Sequence, residues 1–481
     1  MSSHDEKKKQ PLYQKVADDI ESLILQGMYE TGSRIPSIRK MSENLKVSIN
    51  TIKEAYAILE SRQLVEGRPH RGYFVKDIDV RKLQIPDPAH SFRPNTLEIT
   101  GNFMFQRILE EVMDSRYVPL GMATASPSLL PLQDFSSLIS SMTENQKKQS
   151  LMYAPPEGMP ELRNVIAKKL LDSGLTLTAN DILITSGCEE ALFLALSAIT
   201  SPGDTIAVQS PIYSNLVLTF KNLGLKILEI PSDPDDGISL DILEYGIEHN
   251  EVKACLVISN FNNPTGSVIP DKNKRRLTDI LKTAGIPLLE DDVYGDLYFE
   301  GTRPSTCRTY DKSGNTVLCS SFSKTVSPGL RVGYIVPGKF KDAIIQHKIG
   351  SNICTSTISQ LLLSNYLQSG GYYKQLRKLR SEVGERMKML REDVRKFFPQ
   401  GTKMTDPKGG YTLWVELPGN VSGLDLYEKA INENIAIVPG GLFSQNNLFR
   451  RFIRLDAGCY SRSISYAVAR LGELTMELMF K

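Results

Sequence analysis

The sequence predicts an α/β protein that carries a small three-helix head at its N-terminus. Three observations predict this. From Val118 onward, short apolar runs alternate with helical stretches. Three apolar stripes at helical spacing and two strand-like runs fill the chain up to Lys76. Polar motifs recur at the ends of the apolar runs, where open sheets collect ligands. At 481 residues the chain has room for about three folding units.

In the head, Leu12, Val16, Ile20, Leu23 and Ile24 form the first stripe, and Gly27 follows as a stop. Ile38, Met41 and Leu45 form a second after Pro36-Ser37, where Ser37 can cap. Ser48 offers another cap, and Ile52, Ala55, Tyr56 and Leu59 make the third stripe. Helix, short turn, helix is the arrangement that places one helix in a DNA major groove. Opposite the third stripe, Asn50, Thr51 and Lys53 can reach base edges or phosphates. Leu64-Val65-Glu66 and Tyr73-Phe74-Val75 then flank a turn containing Arg68 and Arg71, which predicts a β-hairpin whose tip can touch backbone. Helical periodicity alone equally suits a three-helix interaction module.

Charge is uneven along the chain. Through Lys76 there are 13 Lys+Arg against 10 Asp+Glu, a net of +3, and the remainder carries 44 against 45. A mild basic bias at one end is compatible with nucleic-acid binding. Hydrophobic content of 41% and charged content of 23% are ordinary for a soluble globular protein, and no run approaches the ~18 apolar residues of a membrane span. The lysine-rich N-terminus lacks the apolar core of a signal peptide. Six scattered cysteines without a CxxC pair argue against disulfides or zinc and suit a reducing cytoplasm, and five scattered histidines suggest no metal. From Asp77 to about Arg116 the composition shifts to Pro, Asp and His, which predicts a connector. Its later apolar patch (Phe103, Phe105, Ile108, Leu109, Val112, Met113) reads as a short amphipathic helix docking on the next domain.

In the large domain, Ile182–Thr185, Thr205–Val208, Ala254–Ile258 and Pro287–Glu290 are the predicted strands. Gly187-Cys188-Glu189 follows the first and opens an apolar helix, whose free N–H groups can hold a phosphate. Tyr213 follows the second and can stack on a flat ring or serve as a buried structural tyrosine. Asn263, in Asn262-Asn263-Pro264-Thr265-Gly266, follows the third; the segment is either a plain loop or one that aims Asn263 at a ring hydroxyl. Asp291, in Glu290-Asp291-Asp292-Val293-Tyr294, follows the fourth, and a carboxylate there can hold a pyridine nitrogen protonated. Ser321-Phe322-Ser323-Lys324 runs on to Arg331 after another apolar strand. A lysine amine can condense with an aldehyde, while arginine and serines can hold a phosphate. Pyridoxal 5′-phosphate (PLP) needs both.

Two resemblances extend this reading. Residues 1–76 resemble the winged helix-turn-helix of GntR-type bacterial regulators, through PLYxxVA, G-x-x-x-x-G-x-R-x-P-S-x-R, V-S-x-N-T-x-x-x-A-Y and the R-G-Y-F-V wing. That resemblance implies a DNA surface of Arg34, Arg39, Ser48, Asn50, Thr51, Lys53 and Gly72. Residues 117–481, in the order of their motifs, resemble the fold-type I aminotransferases, with a large, mostly parallel sheet and a smaller C-terminal α+β subdomain. The combination resembles MocR-type regulators.

The resemblance implies Lys324 as Schiff-base lysine, Asp291 on the pyridine nitrogen, Asn263 and Tyr294 on the ring hydroxyl, and Tyr213 stacked on the ring. Ser321, Ser323, Arg331 and the backbone of Gly187 to Glu189 would hold the phosphate, and Tyr153 would reach the phosphate of the partner in a homodimer. Arg454 would grip an amino-acid carboxylate. Many relatives have a small hydroxyl residue followed by glutamine or threonine where this chain has Cys188-Glu189; a thiol is a weaker donor and a glutamate adds repulsion unless turned away. The function so implied is a PLP-dependent cytoplasmic transcription regulator. It would bind double-stranded DNA at paired half-sites and sense an amino acid or amine that displaces Lys324 to form an external aldimine. A working amino-acid aminotransferase carrying a DNA-binding head, and a sensor of PLP itself, are the alternatives.

Overall fold

The computed structural model describes residues 11–25, 29, 32–61, 64–68, 71–75, 85–86, 96–97, 103–446 and 448–480. They form two compact units, Met1–Lys82 and Leu83–Lys481.

The first unit holds α1 (Leu12–Leu25), α2 (Ile38–Leu45), α3 (Ile49–Ser61) and an antiparallel hairpin of β1 (Val65–Arg68) and β2 (Gly72–Val75), with Val65 opposite Val75. Val16, Ala17 and Ile20 of α1 meet Met41 of α2 and Ile52, Ala55, Tyr56 and Leu59 of α3 in one core, which Val65 and Val75 close. Ser37 caps α2 by accepting from the Lys40 amide. Lys46 then turns left-handed (φ 52°), and its N–H returns to the Ser42 carbonyl. The Tyr56 hydroxyl donates to the Pro36 carbonyl at 2.6 Å and ties α3 to the start of α2.

Two residues of the predicted stripes lie outside this core. Leu12 is 55% exposed and Leu45 44%. They occupy the first turn of α1 and the last of α2, where the chain turns away before a facing helix can cover them. Gly27 and the side chains of Leu23 and Ile24 lie outside the described residues.

In the second unit, nine strands build the main sheet. They are β3 (Thr96–Leu97), β4 (Leu183–Thr185), β5 (Thr205–Ser210), β6 (Lys226–Asp233), β7 (Gly237–Ile238), β8 (Val252–Ile258), β9 (Leu288–Asp291), β10 (Thr316–Ser321) and β11 (Gly333–Val336). Their order is β3-β6-β5-β8-β9-β10-β11-β4, with β7 paired to β6. The run β6 to β10 is parallel, and β11 is antiparallel to both neighbours.

Successive residues of a strand point to opposite faces, and here they enter different cores. Ile206, Val208, Leu256 and Leu289 pack with Ala191 and Leu192 of the helix that follows β4. Ala207, Cys255, Val257 and Leu288 pack with Leu277 and Leu281 of the helix Asp271–Thr283. Burial on both faces is why these strands read as continuous apolar runs. β6 escaped that reading because Glu229 interrupts it. The carboxylate is fully buried and accepts from Ser210 Oγ, Ser444 Oγ and the Gln445 amide, so its burial is compensated.

The C-terminal part is a four-stranded antiparallel sheet of β12 (Lys403–Met404), β13 (Thr412–Glu416), β14 (Val438–Pro439) and β15 (Phe452–Asp456), in the order β12-β13-β15-β14. The helices Gly371–Phe397, Gly423–Asn432 and Ser465–Met479 contribute Met387, Leu426 and Val468 to its core. The connector's apolar patch forms α4 (Phe103–Met113), which sends Ile108 and Val112 into that same core. Just beyond α4, Val118–Pro119 pairs with Ile435–Ala436.

Candidate functional site

The carboxyl ends of β5, β8, β9 and β10 deliver their side chains to one cavity. Tyr213, Asn263, Tyr294, Lys324 and Arg454 line it together. Lys324 follows β10, and its Nζ donates to the Ala123 carbonyl at 2.8 Å. Its own carbonyl accepts from the Tyr411 hydroxyl at 2.5 Å. Burial lowers the Lys324 amine to about 8, against the pull of Asp456, which favours its charged form. The Tyr294 ring centre lies 5.8 Å from this amine, and the Tyr294 hydroxyl accepts from Asn263 Nδ2 at 3.5 Å.

Alternation at the end of β9, continued into Asp292 just beyond it, separates three consecutive acids. Glu290 accepts from Ser259 Oγ and from the amides of Cys307 and Arg308. Asp292 pairs with Arg303 and accepts from Asn260. Asp291, pointing the other way, has no ion-pair partner among the described residues. It accepts from the Val293 amide at 3.0 Å and the Cys188 thiol at 3.4 Å. Burial first, then the Glu189 charge, pushes Asp291 up to about 7. A buried carboxylate so placed favours a cation or a proton.

A second cluster surrounds the start of the helix Cys188–Ile199. Gly187 has φ 102°, and a Cβ there would stand 2.5 Å from Arg331 Nη2. Arg331 donates to the Ser186 carbonyl at 2.8 Å and to Ser323 Oγ at 3.4 Å, while the Ser323 amide donates to Ser321 Oγ at 3.3 Å. Free amides of a helix start beside a guanidinium and two hydroxyls form a cradle for an anion. The side chains of Cys188 and Glu189 face elsewhere. The thiol meets Asp291, and Glu189 Oε1 accepts from Asn215 Nδ2 at 3.1 Å. The amide next to the cradle, Ser186 N–H, is taken by Glu190 at 2.6 Å.

Arg454 arrives from β15, nearly buried. Nη1 donates to Asn263 Oδ1 at 3.0 Å, Nη2 donates to the Gly121 carbonyl, and the buried Nε has no hydrogen-bond partner. Desolvation lowers its pKa. Tyr153 stands apart from both clusters, 83% exposed beside the exposed Leu151 and Met152.

In the head, Asn50 and Lys53 are exposed near the start of α3, with Thr51 half-buried beside them. The Ser48 hydroxyl accepts from the Thr51 amide at 3.1 Å and pairs with its hydroxyl at 2.8 Å, so both serve the cap. Arg34, Arg39 and Arg71 are exposed. Gly72, φ 97°, leaves room for the Arg34 side chain, whose Nε would lie 2.9 Å from a Cβ there. Arg68 is held by Glu66 at 2.6 Å, with its guanidinium 4.5 Å from the Phe74 ring centre.

Residues 127–471 match the model of aminotransferase class I and II, and residues 12–75 match that of the bacterial regulatory proteins of the gntR family. The chain is 35% identical over 473 residues to the uncharacterized HTH-type transcriptional regulator YjiR of Escherichia coli, covering 97% of this chain and 99% of that one. It belongs to the MocR-type GntR regulators. YdcR of the same organism, also an uncharacterized HTH-type transcriptional regulator, is 32% identical over 97% of this chain and 99% of its own. Among solved structures, LysN, the α-aminoadipate aminotransferase of Thermus thermophilus, superposes with a TM-score of 0.73 and 26% identity. The match covers 80% of this chain and 96% of LysN. The multiple substrate aminotransferase of Thermococcus profundus, at 24% identity and TM-score 0.74 over 79% of this chain and 96% of that one, shares the fold.

Sequence reasoning about this MocR-type chain missed Asp456, Tyr411 and the carbonyls of Gly121 and Ala123. Asp456 accepts from the Gly458 and Thr124 amides and is pushed by burial up to about 6. Its signal was present, since Arg454 and Asp456 are two apart on a strand and share a face. The two carbonyls left none, because any residue type supplies one.

Among the described residues no helix is long and apolar enough to cross a membrane, and no three His, Cys, Asp or Glu side chains are grouped to hold a metal.

Proposed function

We propose that this protein is a transcription regulator whose aminotransferase-like unit holds PLP on Lys324 and whose winged head binds DNA. One observation carries the reading. A desolvated amine, an unpaired buried carboxylate and an anion cradle meet at strand ends of a chain that also has a GntR head. These residues fit the group: Asp291 would receive the ring nitrogen, Asn263 and Tyr294 the ring hydroxyl, and Tyr213 the ring face. Ser321, Ser323, Arg331 and the amides of Gly187 to Glu189 would hold the phosphate. When bound, PLP supplies an aldehyde that condenses with amines and a ring that withdraws electrons. The chain's own part is to hold the Lys324 amine near neutrality, offer Asp291 as a counter-charge, and present Arg454 to a carboxylate.

A ligand that regulates must favour one conformational state over another. Arg454 would meet the carboxylate of an amino acid whose amine displaces Lys324, and Arg34, Arg39, Asn50, Thr51, Lys53 and Arg71 form the DNA-facing set. A two-fold dimer would bury Leu151, Met152 and Tyr153, bring Tyr153 to the partner's phosphate and match paired half-sites. The test is visible absorbance of the full-length protein mixed with PLP, followed by binding of the DNA upstream of its own gene with and without amino acids. A colourless protein overturns the cofactor assignment, and DNA binding indifferent to every amino acid overturns the regulatory one. The amine at about 8 also favours a working transaminase, because a lysine near neutrality can carry protons at the substrate carbon. Turnover of amino acids with 2-oxoglutarate, without specific DNA binding, would establish that reading instead.

A further inference from the structure

A carboxylate at the edge of an anion cradle works against it, and this cradle has one. Glu190 stands in the first turn of the helix Cys188–Ile199 and accepts from the Ser186 amide at 2.6 Å. The Ser186 carbonyl accepts from Arg331 at 2.8 Å, so Glu190 and Arg331 hold that residue from both sides. A negative charge at a helix start interacts with the same free amides and dipole that attract a phosphate. Left uncompensated, Glu190 would repel the phosphate and compete with it.

The compensating group comes from another helix. Lys348, on the helix Lys341–Asn352, is fully buried, and its Nζ lies 3.7 Å from Glu190 Oε2. The amine also donates to Asn352 Oδ1 and Thr355 Oγ1, each at 3.2 Å. Those three acceptors match the three N–H bonds of an ammonium. Burial lowers the Lys348 amine, while the Glu190 charge favours its charged form. Asn352 closes the cluster, its Nδ2 donating to Glu190 Oε1 and lying 3.4 Å from Ser186 Oγ. Glu189, the other acid of that turn, accepts from the neutral Asn215.

We propose that Lys348 is a positioning residue for the phosphate, acting through Glu190. Glu190 fixes the Ser186 peptide, and Lys348 cancels the charge that Glu190 brings, which leaves the helix start to the phosphate. The inference rests on the reading of Gly187 to Glu189 and Arg331 as a phosphate cradle, and adds to it a residue outside the cradle itself.

The test measures affinity of the full-length protein for PLP and pyridoxal by visible absorbance, and for inorganic phosphate by the rise in melting temperature. The two aldehydes differ only in whether the phosphate is attached. Lys348→Met should weaken PLP and inorganic phosphate about tenfold each and leave pyridoxal within about twofold, the scale of one uncompensated charge near a partly screened anion. Glu190→Gln keeps an acceptor for the Ser186 amide and removes the charge. Added to Lys348→Met, it should restore PLP affinity to within about threefold of wild type. Charges that a partner subunit brings to the phosphate are the same in every variant, so the comparison does not depend on them. Should Lys348→Met not fold, Glu190→Gln alone should tighten PLP and inorganic phosphate about threefold, with pyridoxal unchanged. Equal losses for PLP and pyridoxal overturn the proposal. So does a double variant no better than Lys348→Met, or a Glu190→Gln variant with wild-type affinity for phosphate. Wild-type protein that takes up neither aldehyde would instead refute the cofactor assignment on which the proposal rests.

Discussion

Arg454 on β15 of the small sheet donates to Asn263 beyond β8 of the large one, Nη1 to Oδ1 at 3.0 Å. The residue assigned to the ligand carboxylate is thus bound to the residue assigned to the cofactor ring. Together they join the two subdomains at the cavity. Its Nη2 meets the Gly121 carbonyl, and its Nε is unpartnered. Arg454→Ala should weaken amino-acid binding by about 100-fold, the scale of losing a charge-assisted pair of hydrogen bonds, and leave PLP uptake intact. Spectral titration reads both. Unchanged amino-acid affinity would place the carboxylate elsewhere.

Lys324→Ala should abolish the visible absorbance of the PLP-loaded protein, because the amine that condenses with the aldehyde is gone. DNA affinity of the cofactor-free variant should match that of cofactor-free wild type, measured by fluorescence anisotropy. Persistent colour after dialysis would point to another lysine.

The same amine dictates a pH profile. Burial sets it at about 8, and only the neutral form attacks an aldehyde. The rate of PLP uptake should rise about tenfold per pH unit below about 8 and level off above it. A plateau reached only near the ordinary lysine value would show that the amine is not desolvated.

Asp291 titrates in the opposite sense for stability. Burial raises it from 3.8 to about 7, so the folded chain holds this proton more tightly than the unfolded one. Its contribution is present below the unfolded value and lost as pH rises through the folded one, at a cost on the order of 4 kcal/mol. Asp291→Asn should flatten the fall in melting temperature of the cofactor-free protein over that window. Asp456, raised to about 6, should leave a residual slope. With PLP the same variant should bind the cofactor about 10- to 100-fold more weakly, since a charge-assisted bond to the ring nitrogen is lost.

Arg39 is exposed on α2 and forms no ion pair among the described residues. Arg39→Ala should reduce DNA affinity and lower the log–log salt slope by about 0.9, one phosphate's share, while PLP uptake stays unchanged. An unaltered slope would remove Arg39 from the DNA surface.

Much of the architecture was legible in the residues. Three stripes of apolar side chains specify α1 to α3, and continuous apolar runs announce strands buried on both faces, because period and burial follow directly from residue type. The limits have physical causes as well. Glu229 hid β6, since burial of a carboxylate depends on Ser210, Ser444 and Gln445, which lie 19, 215 and 216 residues from it in sequence. Ser48 is a cap as well as a residue at the start of the third helix, and Arg68 is offset by Glu66; neither local pairing changes the periodic pattern.

By itself the sequence determined the kinds of chemistry present and their order along the chain: a basic helical head, then glycine turn, tyrosine, asparagine, acid and lysine at successive strand ends. Only the tertiary structure decided how Glu290, Asp291 and Asp292 are compensated: Glu290 by a hydroxyl and two amides, Asp292 by Arg303, and Asp291 by one amide and a thiol alone. It also decided that Cys188 and Glu189 face away from the anion cradle and that α4 lines the same cavity as Lys324. Residue type and spacing act locally. Partnership, desolvation and shared walls arise only when segments hundreds of residues apart are packed against one another.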